Sequence, residues 1–179
     1  LCNDDFCSVP EFMGVALRMG KPMPDVILGM RENDPQADAE IQEWCRVAHV
    51  VRQLKTARIG LMGHVLEAML DMHTDPTAIT RAFGAHVVLC EPDGIVKHYR
   101  SVDDEAIQAK SAEILGFFDT PDPGSDSIAV KLTDADLETA ARCAVALERF
   151  IEEKELTGLA YYYEGEPESD VRKVMTNLI

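Results

Sequence analysis

Basic residues are scarce in this chain, where 17 Lys and Arg residues stand against 32 Asp and Glu residues and the net charge is −15. So acidic a chain repels the phosphates of nucleic acids and the anionic lipids of a membrane surface. No apolar run is long enough to span a bilayer. We therefore expect neither a nucleic-acid partner nor a membrane partner. With 46% hydrophobic residues over 179 positions, the composition is typical of a globular protein with one full domain.

The glycine-rich and nucleophile motifs of the large α/β enzyme families are also missing. No GxGxxG segment follows a strand pattern, and Gly60-Leu61-Met62-Gly63 is too short to replace one, so a dinucleotide site is not expected. The chain has no phosphate-binding GxxxxGKS/T loop. It also has no GxSxG elbow that would present a nucleophilic serine. Two groups of acidic residues and histidines remain as candidates for a site.

The cysteines show no metal-binding spacing. Five are scattered along the chain, and none forms a CxxC pair: Cys2, Cys7, Cys45, Cys90 and Cys143. Cys2 and Cys7 are five positions apart, but no second pair follows them, so a zinc site is not expected. An odd number of dispersed cysteines indicates reduced and mostly buried thiols, and therefore a cytoplasmic location.

The first third of the chain combines helix signals with one strand-like segment. We predict a helix over 10–19, a strand over 26–29 and a connecting core helix over 37–54. The chain does not begin with Met and it stops inside an amphipathic segment, so we expect it to be a piece of a longer polypeptide. The expected divisions are the end of an N-terminal α/β domain, a central domain and the start of a truncated segment: 1–35, 36–165 and 166–179.

Strand and helix patterns alternate from residue 58 onward. Three apolar segments predict strands: 58–63, 85–90 and 158–163. Asp75 and Gly84 are expected to cap the helix between the first two strands, and a capping box at Thr133 begins the helix before the third. Such alternation is typical of a parallel sheet. The predicted fold class is α/β, with a Rossmann-like parallel sheet, helices on both faces and a partial α/β domain before it.

Glu164 is the first candidate for a functional residue. It directly follows the apolar and aromatic segment that ends in Tyr161-Tyr162-Tyr163. Ligands of open α/β sheets bind beyond the carboxyl ends of the strands, which is where this carboxylate is expected. A solvated loop carboxylate would fit the pattern equally well. Glu166 and Glu168 are expected to be solvated, and the tyrosines are expected to belong to the core of the sheet.

The second candidate group lies between His64 and Asp75 and follows the first predicted strand. It includes Met69, Met72 and His73. Its position at a strand end favours a site. Alternatively, the methionines fill gaps in the core, Asp75 is a helix cap, and the histidines are surface residues.

Three segments resemble one enzyme family. They are Glu43-Trp44-Cys45-Arg46-Val47-Ala48, Met69-Leu70-Asp71-Met72-His73-Thr74-Asp75, and Tyr161-Tyr162-Tyr163-Glu164-Gly165. Together they make the chain similar to the superfamily of L-arabinose isomerase and L-fucose isomerase, specifically to arabinose isomerase-like proteins. The resemblance covers nearly the whole chain, and the segment that ends at Glu164 is its most specific part.

The resemblance implies interconversion of an aldose and a ketose through an enediol, with Mn²⁺ as cofactor. It implies that Glu164 is both a catalytic and a metal-binding residue, and that Met69 and His64 contact the sugar. It also implies a homo-oligomer. The family's second glutamate and its ligand histidines would follow residue 179, so we expect the chain to be inactive alone.

Two other functions are compatible with the same residues. Rossmann-like domains also occur as non-catalytic sugar-binding or sensing modules, and a fold does not determine a function. A domain that only assembles an oligomer is the third possibility. The sequence leaves the sugar, the metal and the oligomer size open.

Overall fold

The computed structural model describes residues 5–30, 32–66, 68–120, 122–125 and 127–178, with side chains from residue 8 onward. The chain divides into two compact units, Leu1–Val50 and Val51–Ile179. The first unit contains helix α1, Asp5–Arg18, and most of helix α2, Pro35–Thr56. Helix α2 continues into the second unit. Among the described residues, no helix has both the length and the hydropathy required to cross a membrane.

The second unit alternates strands and helices. Its strands are β1, β2 and β3: Arg58–Met62, His86–Cys90 and Gly158–Tyr161. A short 3₁₀ helix, Leu70–Met72, follows β1. The α-helices of this unit are α3, α4, α5, α6 and α7: Pro76–Phe83, Pro92–Ser101, Asp104–Phe117, Asp134–Lys154 and Asp170–Thr176.

The three strands form one parallel sheet in the order β2-β1-β3. In register, Met62 at the end of β1 lies beside Cys90 of β2 and Tyr161 of β3. The carboxyl ends of all three strands therefore meet at one edge of the sheet. The predicted α/β class with a parallel sheet is confirmed.

Local signals in the sequence explain where several helices begin and end. The Asp75 carboxylate accepts a hydrogen bond from the backbone N–H of Thr77 at 2.8 Å and caps α3, and Gly84 ends that helix at φ = 77°. At α6, the Thr133 hydroxyl accepts from the N–H of Asp136, whose carboxylate accepts from the N–H of Thr133. These caps satisfy N–H groups that lack partners within the helix. The predicted caps of α3 and the capping box of α6 are confirmed.

The two faces of the sheet differ in how they are covered. Met62 and Cys90 point into a core shared with helices α4 to α7, in which Ile95 and Phe150 are also buried. On the other face, α3 and the segment after β1 cover β1 and β2 only in part. Leu89 is 75% exposed there. An apolar cavity of about 240 Å³ remains on this face, lined by residues such as Leu61, Val65, Met72, Ile79 and Val87.

Several predicted elements differ from the structure. The strand predicted over 26–29 is not formed. Strand β3 ends at Tyr161, two residues earlier than predicted. Helix α4, Pro92–Ser101, is not among the predicted elements. Proline at the first helical position starts a helix as readily as it marks a turn, because its missing N–H needs no partner there.

The prediction that α2 is a core helix is wrong for the described structure. The helix forms as predicted, but Ala37 is its only buried residue. The exposed apolar residues of α2 include the only tryptophan of the chain, Trp44. Helical periodicity therefore identified the helix and its apolar face correctly, but not what covers that face.

Candidate functional site

The candidate site lies at the carboxyl edge of the sheet, where the segments after β1 and β3 meet. Gly63 and His64 follow β1, and Tyr162, Tyr163 and Glu164 follow β3. Because β1 and β3 are parallel neighbours, these two segments leave the sheet side by side. We call His64, Tyr162 and Glu164 the carboxyl-edge cluster.

Gly63 allows the two segments to approach each other closely. Its backbone has φ = 80°, a conformation that residues with a side chain rarely adopt. A Cβ at this position would lie 3.1 Å from the Cβ of Tyr162. The N–H of Tyr162 donates to the carbonyl of Met62 at 3.0 Å, so the sheet pairing continues one residue beyond β3. Glycine at position 63 therefore leaves the space that Tyr162 occupies.

Tyr162 joins the other two members of the cluster. Its ring lies against the imidazole of His64, with centroids 4.0 Å apart and planes tilted by 35°. Its hydroxyl donates to Oε2 of Glu164 at 3.0 Å. Partial removal from water and, after it, this hydrogen bond raise the pKa of the Tyr162 phenol, because both disfavour the phenolate. Tyr162 therefore remains protonated and keeps donating to the carboxylate at neutral pH.

His64 is also held by its own backbone neighbour. Its Nδ1 lies 3.1 Å from the carbonyl oxygen of Val65. Since a carbonyl can only accept, this contact is a hydrogen bond in the tautomer that carries the proton on Nδ1. In that neutral tautomer, Nε2 is an acceptor. The cluster therefore offers a carboxylate oxygen and, in that tautomer of His64, an imidazole nitrogen as acceptors for the hydroxyl groups of a ligand.

The neighbouring Tyr163 adds an apolar surface to the site. The residue is 42% exposed, and its ring centroid lies 5.8 Å from that of Tyr162. A sugar presents hydroxyl groups at its edges and C–H groups on its faces. Acceptors beside an exposed aromatic ring suit that distribution, because a binding site combines apolar area with a few polar groups that fix orientation.

The other candidate residues lie away from this hydrogen-bonded arrangement. Met69 is 45% exposed and precedes the 3₁₀ helix, and its N–H donates to the carbonyl of Leu66 at 3.1 Å. Glu67 lies outside the described residues. Glu166 and Glu168 are exposed in the loop before α7, as expected. The structure therefore brings His64 and Glu164 together and leaves Met69 on a separate, exposed segment.

The described residues do not by themselves fit a manganese ion. No group of three or more His, Cys, Asp and Glu side chains within the described ranges is arranged to hold a metal. Mn²⁺ prefers several oxygen ligands, whereas the carboxyl-edge cluster supplies one carboxylate, and the neighbouring phenol already donates to it. Further ligands would have to come from outside the described residues.

Tyr162 is the member of the cluster that the sequence did not single out, because the three tyrosines were expected to belong to the core of the sheet. Tyr161 does pack against the core. Alternation along a strand places Tyr162 on the opposite face from Tyr161. That alternation, together with the position of Glu164 two residues later, was the signal that could have identified it.

No family model matches the chain, and no curated protein is significantly similar to it.

Proposed function

We propose that the chain is part of a metal-dependent sugar isomerase that interconverts an aldose and a ketose through an enediol intermediate. The proposal is carried by one observation: the carboxylate of Glu164 is held by the Tyr162 hydroxyl at the carboxyl edge of a parallel sheet, beside His64. The resemblance noted in the sequence of residues 161–165 points to the same function.

In this proposal, Glu164 transfers a proton. A carboxylate base would remove the proton from the carbon next to the carbonyl, the electron pair would form the enediol double bond, and the carbonyl oxygen would gain a proton. Return of a proton to the other carbon, with loss of the hydroxyl proton from the oxygen of the first carbon as its C=O bond forms, would give the second sugar. Such proton transfer by a positioned side chain contributes roughly 10²–10⁴-fold to a rate. The Tyr162 hydrogen bond would fix the orientation of the carboxylate.

The remaining parts of the site follow from the resemblance. His64 and Met69 would contact the sugar. Glu164 would also be a ligand of Mn²⁺, which polarises a sugar carbonyl when bound, and the other metal ligands and a second carboxylate would come from outside the described residues. We therefore expect no isomerase activity from the 179-residue chain alone. Turnover by that chain would contradict this expectation.

The test compares two neighbouring glutamates. The polypeptide that contains this chain is assayed with a panel of aldoses, with and without Mn²⁺, as wild type, Glu164→Gln and Glu166→Gln. We expect metal-dependent ketose formation that falls at least about 10²-fold in Glu164→Gln. The Glu166→Gln variant, altered in the exposed loop, should keep its activity. Equal activity of all three proteins would refute the role of Glu164.

The second candidate function is a non-catalytic sugar-binding module. It is favoured by the exposed ring of Tyr163 beside the single carboxylate of the cluster. Saturation-transfer NMR of the 179-residue chain with the same sugars separates the two functions. Sugar binding that is lost in Tyr163→Ala, with no turnover by the containing polypeptide, would favour the binding module.

A further inference from the structure

The segment 162–169 joins β3 to α7 and carries Glu164, and we call it the Glu164 loop. Two contacts hold it, one on each side of the carboxylate. On the sheet side, the N–H of Tyr162 donates to a carbonyl at the end of β1 at 3.0 Å. On the helix side, the guanidinium Nη1 of Arg172 donates to the carbonyl of Gly165 at 3.3 Å. Glu164 therefore lies between two backbone anchors, one in the sheet and one on α7.

Gly165 also packs directly against the first turn of α7. A Cβ at this position would lie 3.0 Å from the backbone nitrogen of Arg172 and 3.2 Å from its Cα. It would also lie 3.2 Å from Cγ1 of Val171. Nonbonded carbon atoms prefer separations of about 3.5–4.0 Å. A side chain at position 165 would therefore push the Glu164 loop away from the helix.

Helix α7 is a fixed support for this contact. Val174 and Met175 of the helix are fully buried in the core of the second unit. At the start of the helix, the Ser169 hydroxyl accepts a hydrogen bond from the N–H of Arg172 at 3.1 Å. The same hydroxyl donates to the carbonyl of Glu166 at 2.7 Å. The loop and the helix are thus joined at several points, and displacement of either would break a hydrogen bond.

The two adjacent cations of α7 have different surroundings. Partial removal from water and then the Glu164 carboxylate raise the pKa of the Tyr162 phenol, whereas the positive charge of Arg172 acts in the opposite direction. The guanidinium is therefore close to the carboxyl-edge cluster. The ammonium group of Lys173 instead lies over the ring of Tyr99, 5.8 Å from its centroid. Lys173 is thus a matched control for Arg172, with the same charge on the same helix.

We propose that Arg172 is a positioning residue for Glu164. Its hydrogen bond and the close packing of Gly165 hold the Glu164 loop against α7 and keep the carboxylate beside the Tyr162 hydroxyl. Arg172 acts through the loop and makes no contact with the substrate. Positioning matters for proton transfer, because a misplacement of about 1 Å can lower a rate on the order of 10²-fold. The effect on catalysis rests on the proposed function, whereas the positioning itself is measured without it.

The first experiment measures the mobility of the loop in the 179-residue chain and needs no activity. NMR order parameters are obtained for the backbone amides of residues 163–165 in the wild type, Arg172→Met, Arg172→Lys and Lys173→Met. We expect values near about 0.85 in the wild type and below about 0.6 in Arg172→Met. Arg172→Lys should recover part of the rigidity, because an ammonium group also donates hydrogen bonds. Lys173→Met should resemble the wild type.

The second experiment measures catalysis and separates displacement of the loop from loss of charge. Gly165→Ala keeps the charge of Arg172 but places a Cβ against the backbone of α7. In the polypeptide that contains this chain, Gly165→Ala and Arg172→Met should each lower kcat at least about tenfold with little change in KM. The controls Lys173→Met and Gly158→Ala should keep their activity. At Gly158, no atom of the described residues beyond its chain neighbours lies within 4 Å of a Cβ.

Three results would overturn the proposal. Order parameters that stay near the wild-type values in Arg172→Met would show that the loop is held without Arg172. Equal loosening in Lys173→Met would show that α7 as a whole had moved. A loosened loop with an unchanged kcat would show that the reaction does not need this positioning. An inactive wild-type polypeptide would instead refute the proposed function, and the order parameters would still decide whether Arg172 positions Glu164.

Discussion

Helices α2 and α6 have similar lengths and similar apolar periodicity, but only one of them is part of a core. Helix α6, with 21 residues, buries Ala141, Cys143, Val145, Ala146 and Phe150. Helix α2, with 22 residues, buries only Ala37. Apolar periodicity predicts that one face of a helix is apolar, but it does not predict which element packs against that face. The difference between the two helices therefore arises entirely from their neighbours.

The neighbours of α6 are α4 and α5, which pack along it and make polar contacts at its margins. His98 of α4 lies 2.7 Å from Glu153, and Lys110 of α5 lies 2.8 Å from Glu148. These pairs are partly exposed and contribute little on their own. The packing beneath them contributes more, because burial of apolar area is the main favourable term in folding. The buried Cys143 thiol shows how dry this region is, since burial raises its pKa to about 11.

The largest difference between the two helices should appear when an aromatic residue is truncated in each. Phe150 is 1% exposed, so Phe150→Ala should lower the free energy of unfolding by about 3–5 kcal/mol. Trp44 is 48% exposed, so Trp44→Ala should lower it by less than about 1 kcal/mol. Urea denaturation followed by circular dichroism measures both. Similar losses would show that α2 is as tightly packed as α6.

The next largest difference in stability should come from glycine-to-alanine substitutions, one beside α6 and one in the first unit. A Cβ at Gly94 of α4 would lie 2.8 Å from the Phe150 ring, so Gly94→Ala should destabilise the protein by about 1–3 kcal/mol. At Gly14 of α1, no atom of the described residues outside the surrounding turns of the helix lies within 4 Å of such a Cβ. Gly14→Ala should therefore stabilise the helix by about 0.5–1 kcal/mol through propensity alone. Thermal unfolding of both variants is the measurement, and a loss of stability in Gly14→Ala would reveal packing around α1.

Removal of a helix cap should have a smaller effect on stability. In α6 the effect should be global, whereas in α2 it should be confined to the first turn. Thr133→Ala removes the capping box of α6 and should lower the global free energy of unfolding by about 1 kcal/mol. Asp34 accepts a hydrogen bond from the N–H of Ala37 at the start of α2, at 3.2 Å. Asp34→Ala should speed amide exchange only in the first turn of α2. Faster amide exchange in α6 after the Asp34 change would contradict this difference.

Short-range signals in the sequence accounted for much of the second unit. The caps at Asp75, Gly84 and Thr133 were predictable because each depends on a side chain or a backbone angle within one helical turn. The strand expected over 26–29 was not, because a strand also needs a partner, and its residues supply only propensity. Helix α4 was missed because Pro92 and Gly94 also suit a turn.

The sequence singled out two residues of the candidate site, but not how they come together. Glu164 was identified because it follows an apolar strand, and His64 because it follows another. Their meeting at one edge depends on the parallel pairing of β1 and β3, which joins residues about 100 positions apart. The hydrogen bond from Tyr162 to Glu164 depends on both the strand ending at Tyr161 and the close approach at Gly63. Neither condition can be predicted from the local sequence.

Acid should have the smallest effect, and it should act on the contacts between α5 and α6. The N–H of Ala106 and then the guanidinium of Arg149 hold the pKa of Asp103 below its ordinary value of 3.8. A carboxyl group with a lowered pKa stabilises the folded state above its ordinary pKa, and the contribution is lost as the pH falls through the lower, folded-state value. Melting temperatures measured from pH 7 to about pH 2 should therefore fall less steeply for Asp103→Asn than for the wild type below pH 3.8. Parallel curves would show that Asp103 and Arg149 do not contribute to holding α5 against α6.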